Sequence, residues 1–573
     1  MVHDFFLRLD GDWNRFWIME WSVFGFWALL TLLPCRRDRP WERWNHPALY
    51  AAGLLLAFIA FRWPSIGVAG EYTVDESQFL AGALTVLHRH TLWAADTMSS
   101  GPLTILPLTL PALFGWPVDY VTGRCVGLLL NWGTVVFVWL ALRHVLGDGL
   151  GRILVMPMAC MLLANSYGEL IQYASEHAPL FYLALALWLI VTAFDARGIV
   201  GHRFRLALGG AALGLLPFSK LQAAPLGLIV GLFALTWIWL QPAQPGPRRW
   251  RDATWLVGGV AATMGLILSL VAIPGEIAHF YRSYVAYNII YAQNRTYPWS
   301  EFGARIWFMT DVAWGFYYYL IPTWVMTALV LPFWPASEGR ARRLRLLASV
   351  LFAGGYYVVA AAGHDFQHYL LLLVLPTSFF LGTAYGGLIS RESWPRWART
   401  LSLVAFLGLG VWPQFRYYYF GRWTPHHGEF LAAQKIPASG AARIIRPLIR
   451  PGDTLAVWGW GPGFHVETQL PQATREVHTE RQISPSALRD YFRTRYLAEL
   501  TQHPPAFFVD AVGENNFGFH GRTETGHETF LPLRDLIASH YRLVGDIDTT
   551  RIYVRLDRLA DLPPGTLDHR AAP

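Results

Sequence analysis

Apolar positions in this chain run in long unbroken stretches rather than in the two-residue alternation of strands or the one-sided stripe of surface helices. Stretches of this kind span about 16–34, 47–64, 123–142, 153–166, 179–194, 206–219, 223–240, 253–273, 306–334, 347–362, 369–389 and 400–415. Short basic loops separate them. CRRDRPWERW (Arg36, Arg37, Arg39, Arg43), DARGIVGHRFR, GPRRWRD, EGRARRLR and RESWPRWAR all read as cytoplasmic, because Lys and Arg are retained on that side of a membrane. The first stretch is longer than a signal-peptide core and no small-residue cleavage site follows it, so it is expected to stay attached.

One segment breaks the count. If GPLTILPLTLPALFGW crossed, the later basic loops would fall on the wrong side; it is also short and holds Pro102, Pro107 and Pro111. It therefore reads as a broken or re-entrant helix in the outer leaflet, since proline removes a backbone donor and irregular backbone is tolerated only where protein covers it. The pattern predicts an α-helical polytopic membrane protein of about 12 transmembrane helices, both termini outside, with a small C-terminal α/β extracytoplasmic domain.

That last domain follows from a change of pattern past Tyr419. DTLAVWGWG, PPAFFVDAV, YRLVGDI and RIYVRL have strand composition, and helical patterns lie around 430–449 and 486–500. The divisions expected are 1–46, an extra N-terminal helix and basic loop; 47–420, the transmembrane catalytic domain with outer loop 65–122; and 425–573, the soluble domain. Gly459-Trp460-Gly461-Pro462-Gly463 reads as a turn, because Pro462 and the missing third glycine exclude a dinucleotide fingerprint. His465 and His478 lack zinc spacing and read as packed or surface histidines.

Composition agrees with the pattern. With 573 residues, 54% hydrophobic, 15% charged and 27 Trp, an ordinary soluble protein is excluded. The net charge of +7 sits in the short loops and reads as topology, with no nucleic-acid partner. Three cysteines, none in the C-terminal part, exclude a disulfide framework there.

Candidate chemistry gathers on the outer side. Gly70 to Leu106 carries the adjacent acids Asp75 and Glu76, with Asp96 in the same loop, and acids beside an apolar span are costly enough to imply a task. Other outward segments hold Arg124; Glu169, Glu176 and His177; Lys220; and His364, Asp365 and His368. Arg124 and Lys220 read equally well as headgroup anchors. Glu20 reads as a bundle-facing polar contact, and the loop with Tyr281, Tyr284, Tyr287, Tyr291, Tyr297 and Trp299 as an interfacial amphipathic helix. Asn294-Arg295-Thr296 matches a glycosylation sequon, which is weak evidence. No glycine loop cradles a phosphate, so a nucleotide substrate is excluded and a lipid phosphate suits an enzyme here. A carboxylate would then activate an acceptor hydroxyl while Arg124 or Lys220 holds the phosphate. A transporter or flippase for an anionic polyprenyl-linked lipid is the alternative; transporters commonly carry internal repeats, and none is found here.

The succession VDESQFLAGALTVL, SGPLTILPLTLPALFG, TGR opening a span, SEHAPLFY, LPFSKLQA and HYLLLLVLPTSFFLG resembles the GT-C class of integral-membrane glycosyltransferases, in its protein O-mannosyltransferase and lipid A aminoarabinose transferase branch. The likeness covers about 47–390. It implies a polyprenyl-phosphate sugar donor, a glycan, lipid or protein acceptor, inverting transfer, and a bacterial inner (plasma) membrane location with the active site periplasmic. By the same resemblance Asp75 is the acceptor-activating carboxylate, Glu76 its neighbour, and Arg124 and Lys220 the donor-phosphate cations. Glu176 matches a second acid loosely, and His177, His364, Asp365 and His368 are further substrate-site candidates. No cofactor is certain, and the acids leave room for a divalent metal.

Overall fold

In a computed structural model the described residues are 13–35, 44–68, 70–165, 167–194, 199–240, 246–293, 298–333, 339–415 and 439–561. The first basic loop with its four arginines, the sequon and the joint near Pro425 lie outside them. Seven described helices are long and apolar enough to cross a membrane: Pro47–Ile66, Tyr120–Leu146, Leu221–Trp239, Gly246–Ala272, Trp314–Phe333, Ala341–Ala360 and Gln367–Ile389. Shorter apolar helices are Trp17–Leu32, Pro102–Phe114 and His177–Ala193. Met156–Ala164, Ile199–Ser219 and Arg396–Gly410 occupy the remaining expected crossings. The chain is a polytopic helical membrane protein, and its described residues include a small four-stranded sheet.

Two expected crossings are divided. The stretch 306–334 forms Phe302–Val312 and Trp314–Val330, because Ala313 leaves helical geometry (φ −92°, ψ 75°) and its carbonyl accepts from Phe316 N–H at 2.8 Å to start a new helix. The stretch 153–166 forms Asp148–Leu154 and Met156–Ala164, with Pro157 in the opening turn, where its missing N–H costs nothing. Pro102–Thr109 continues as a 3₁₀ turn over Leu110–Phe114. At about 1.5 Å per residue this piece reaches roughly 20 Å, short of the ~30 Å hydrocarbon core. The aromatic loop is helical over Ile277–Phe280 and Tyr287–Gln293, with a π-helix at Tyr281–Ala286 between them.

The chain divides into two compact units. The first holds the described residues of Met1–Val68, Arg124–Ser269 and Ile289–Ala432; the second those of Ala69–Gly123, Leu270–Asn288 and Ala433–Pro573.

In the first unit Gln367–Ile389 is 89% buried and Gly246–Ala272 only 17%, so the helix with the more apolar stretch stands at the bundle rim and the less apolar one at its centre. Between Ile199–Ser219 and Gly246–Ala272 the backbones nearly touch. A Cβ at Gly210 would stand 2.0 Å from the Leu256 carbonyl oxygen, and one at Gly259 2.1 Å from that of Ala207. Glycine is required at both positions, in the manner of small-residue contacts between membrane helices. Glu20 is fully buried.

In the second unit the strands β1 (Leu455–Gly459), β2 (Phe507–Ala511), β3 (Tyr541–Ile547) and β4 (Thr550–Arg555) form a sheet of order β1-β2-β4-β3. β1 and β2 run parallel and the other pairs antiparallel. The strand pleat sends Leu455, Val457, Phe507 and Val509 into one core and Ala456, Trp458 and Phe508 into the other, which is why β1 and β2 are apolar throughout.

Candidate active site

The acid pair opens helix Val74–Arg89 in the second unit. Thr73 is the N-cap, in extended conformation, and Asp75 and Glu76 lie in the first turn, where the positive end of the helix dipole favours carboxylates. Glu76 is fully buried and its Oε2 accepts from the Tyr72 backbone N–H at 3.4 Å, a bond that fixes the helix start. Asp75 is half-buried, and its Oδ1 accepts from the Gln78 amide at 3.1 Å. Ser77, one residue on, hydrogen-bonds Tyr120 Oη at 2.9 Å and donates to Glu71. Asp96, further along, is 1% exposed and paired with Arg481 at 2.6 Å and Arg495 at 3.1 Å. Burial opposes ionisation of Asp96, but the two guanidiniums outweigh it and hold the carboxyl below its ordinary range.

In the first unit the structure brings Glu176, Lys220 and His368 together. Lys220 is the extended residue between Ile199–Ser219 and the following 3₁₀ turn, and Glu176 precedes His177–Ala193, so both sit where helix ends leave room for polar groups. Lys220 Nζ donates to Ser175 Oγ at 2.8 Å and pairs with Glu176 Oε1, and it lies 4.7 Å from the Tyr369 ring centre. His368 Nε2 is 4.0 Å from Glu176 Oε1, and its Nδ1 is 3.4 Å from Glu169 Oε2. All but Glu169 are buried or nearly so. His177 is adjacent in sequence but turned to other partners: its Nδ1 lies 3.3 Å from the Ala174 N–H and its Nε2 lies 3.3 Å from Asn131 Nδ2.

Arg124 belongs to a different pattern. Its Nη1 donates to the Ser65 carbonyl at 3.4 Å and to that of Val68 at 2.5 Å, at the C-terminal end of Pro47–Ile66. Four other arginines do the same for other helices. Arg62 binds the Leu162 carbonyl at 2.8 Å, Arg152 that of Leu30 at 2.6 Å, Arg205 that of Thr192 at 3.1 Å, and Arg305 the carbonyls of Ala360 and, at 2.8 Å, Ala362. Helix ends leave carbonyls unpaired and carry partial negative charge, so a guanidinium buried there satisfies both. Arg305 also grips Asp365 at 2.7 Å, and His364 stacks on Tyr291 with ring centres 4.0 Å apart. His364 and Asp365 therefore stand in a second group, apart from the Lys220 pairings.

Sequence reasoning passed over Ser175, Arg305, Arg481 and Arg495. Arg481 precedes, and Arg495 sits within, the ordinary charged helical pattern around 486–500, with no local mark of burial. Among the described residues the His, Asp and Glu side chains close enough to share a metal ion are Asp510, His527 and Glu528, with ligand atoms within 4.8 Å. Arg522 and Arg551 already pair with Asp510 and Glu528, at 2.8 and 2.7 Å.

No protein-family model matches the chain, and no curated protein matches it in sequence. Solved structures do. ArnT from Cupriavidus metallidurans bound to undecaprenyl phosphate superposes with TM-score 0.57 at 14% identity, over 90% of this chain and 99% of that one. The apo form of the same protein gives TM-score 0.54 at 14% identity over the same shares. The S. cerevisiae protein O-mannosyltransferase Pmt1-Pmt2 complex bound to its sugar donor matches over 45% of this chain and 38% of that one, at 16% identity and TM-score 0.32. The chain has the GT-C fold of integral-membrane glycosyltransferases, as represented by ArnT.

Proposed function

We propose that the protein is a glycosyltransferase that moves a sugar from a polyprenyl-phosphate donor to an acceptor hydroxyl on the extracytoplasmic face of the membrane. The observation that carries this reading is the fold match along 90% of the chain to a transferase solved with undecaprenyl phosphate. The half-buried Asp75 supports a base role: it takes the acceptor hydroxyl proton, the hydroxyl oxygen bonds to the anomeric carbon, and the bond from that carbon to the donor phosphate breaks with its electrons on the phosphate oxygen. One such displacement inverts the anomeric centre. Lys220 is a compact donor able to exchange a protein oxygen for a phosphate oxygen, and Arg124 offers a fork suited to phosphate. The basic loops support a cytoplasmic opposite face, and with it a periplasmic acid loop and C-terminal domain in a bacterial inner membrane.

The test is sugar transfer from synthetic polyprenyl-phosphate sugars by the purified protein, beside movement of labelled polyprenyl lipid in vesicles. Transfer is expected. Lipid movement without transfer would replace the enzyme with a flippase.

A further inference from the structure

The C-terminal α/β part reaches the acid-pair helix at several points within the second unit. Helix Gly463–Thr468 lies so close that a Cβ at Gly463 would stand 3.1 Å from Glu71 Oε2 and 3.5 Å from Tyr120 Oη, the two groups that bond Ser77. Further along helix Val74–Arg89, Thr85 Oγ1 accepts from Gln472 N–H at 3.0 Å, and Arg89 donates to the Gln472 and Ala473 carbonyls at 3.3 and 2.5 Å. The Asp96 N–H then donates to the Arg475 carbonyl at 2.8 Å.

Asp96 is the ionic centre of this grip. Besides its pairs with Arg481 and Arg495, its Oδ1 accepts from Met98 N–H at 3.1 Å. Arg495 also binds Glu476 at 2.5 Å and Ser283 Oγ at 2.9 Å, and Arg481 reaches the Ser283 carbonyl at 3.3 Å. Arg475 pairs with Glu499 and Glu276. Three segments far apart in sequence, the acid-pair loop, the π-helical turn and the C-terminal helix Arg489–Gln502, thus share one buried network. π-turns of this kind recur at functional sites. Asp96, Arg481 and Arg495 are each 6% exposed or less, and a buried charge group of this geometry stands only while every partner is in place.

We infer that the C-terminal α/β part is a working component of the transfer site, and that Asp96, gripped by Arg481 and Arg495, is the residue that positions the helix bearing Asp75 and Glu76. This rests on the reading of Asp75 as the acceptor-activating carboxylate. Asp96 itself is a positioning residue: its carboxylate is spent on two guanidiniums and a backbone N–H and acts on the acceptor only through the helix it anchors. A displaced base costs rate and leaves donor binding alone, since errors of about 1 Å in a reacting group cost about 10²-fold.

The experiment compares full-length wild type, Asp96→Asn and Asp96→Glu by three readouts: kcat for sugar transfer, affinity for a polyprenyl-phosphate sugar by thermal shift, and hydrogen exchange of peptides covering helix Val74–Arg89. Asp96→Asn is expected to lower kcat about tenfold to hundredfold, to speed exchange in the helix at least tenfold, and to leave donor affinity within about twofold. Asp96→Glu is expected to recover part of both losses. If Asp96→Asn does not accumulate, Arg481→Lys, which keeps the charge and loses the fork, is expected to give the same split on a smaller scale. Wild-type kcat in Asp96→Asn, or unchanged helix exchange, overturns the positioning role while leaving the enzyme reading intact. Failure of the wild type to transfer from any polyprenyl-phosphate sugar overturns the enzyme reading first.

Discussion

Each unit of this protein buries a charge cluster, and the two are built differently. In the second unit Asp96 is locked by two arginine forks, with Glu476, Glu499 and Glu276 completing a network of rigid planar groups. In the first, a single lysine joins Ser175 and Glu176, and His368 stands 4.0 Å from the same carboxylate. Guanidinium forks fix geometry, whereas an ammonium is a point charge on a flexible stem and trades one oxygen for another at small cost. The first design suits a scaffold and the second a binding site for an anionic group. The same contrast runs through the cations of the first unit, where five described arginines close helix ends through backbone carbonyls and Lys220 engages a carboxylate and a hydroxyl.

The strongest break is at the acid pair. Asp75→Asn keeps the shape and the Gln78 contact and removes the charge, so kcat should fall about 10²- to 10⁴-fold with donor affinity unchanged. Near wild-type transfer by the folded variant would remove Asp75 from the chemistry and direct attention to Glu176.

Next is Lys220. Lys220→Met strands the fully buried Glu176, which should destabilise the protein by about 3–5 kcal/mol and abolish donor binding. Adding Glu176→Gln should restore much of the stability but no donor binding. Recovery of both in the double variant would make the pair a structural contact.

A third test concerns the second unit alone. His465 and His478 are buried, and burial lowers them from 6.5 to about 4 and about 3. Between those values and 6.5 the unfolded chain binds protons that the folded chain refuses, so stability is full above 6.5 and falls as pH drops. Each histidine should cost roughly 2 kcal/mol between pH 7 and pH 5. Thermal unfolding of the full chain and of His465→Gln across that interval measures it; an equal loss in the variant would clear His465.

The smallest effect is expected at Arg124. Arg124→Lys loses the fork, and donor affinity should fall about threefold to tenfold. A drop in thermal stability with affinity unchanged would return Arg124 to the company of the helix-capping arginines.

The apolar stretches, the short proline-broken piece Pro102–Phe114 and the four strands were legible because hydrophobic run length and proline act locally. The acid pair stood out because two adjacent carboxylates contrast with an apolar background, but the helix it opens, Val74–Arg89, was read as part of a loop, since its polar and apolar residues make no long apolar run. The breaks at Ala313 and Val155 were not legible in the same way: the apolar run continues through both, and hydropathy does not record which carbonyl a helix start uses.

What the sequence alone determined is the class of the protein, since burying this much apolar surface without polar relief leaves only a membrane as solvent, and the order of its apolar stretches and four strands along the chain. Tertiary structure decided which charges are partnered and by what. Arg124 and Lys220 look alike as basic residues near span ends, yet Arg124 closes a helix end through the Ser65 and Val68 carbonyls, a role Lys220 does not share in its bonds to Ser175 and Glu176. Asp96 looks like a free loop acid and is held by arginines almost four hundred positions away (|i−j| = 399 for Arg495). Partner choice depends on distances between segments remote in sequence, and no local pattern encodes it.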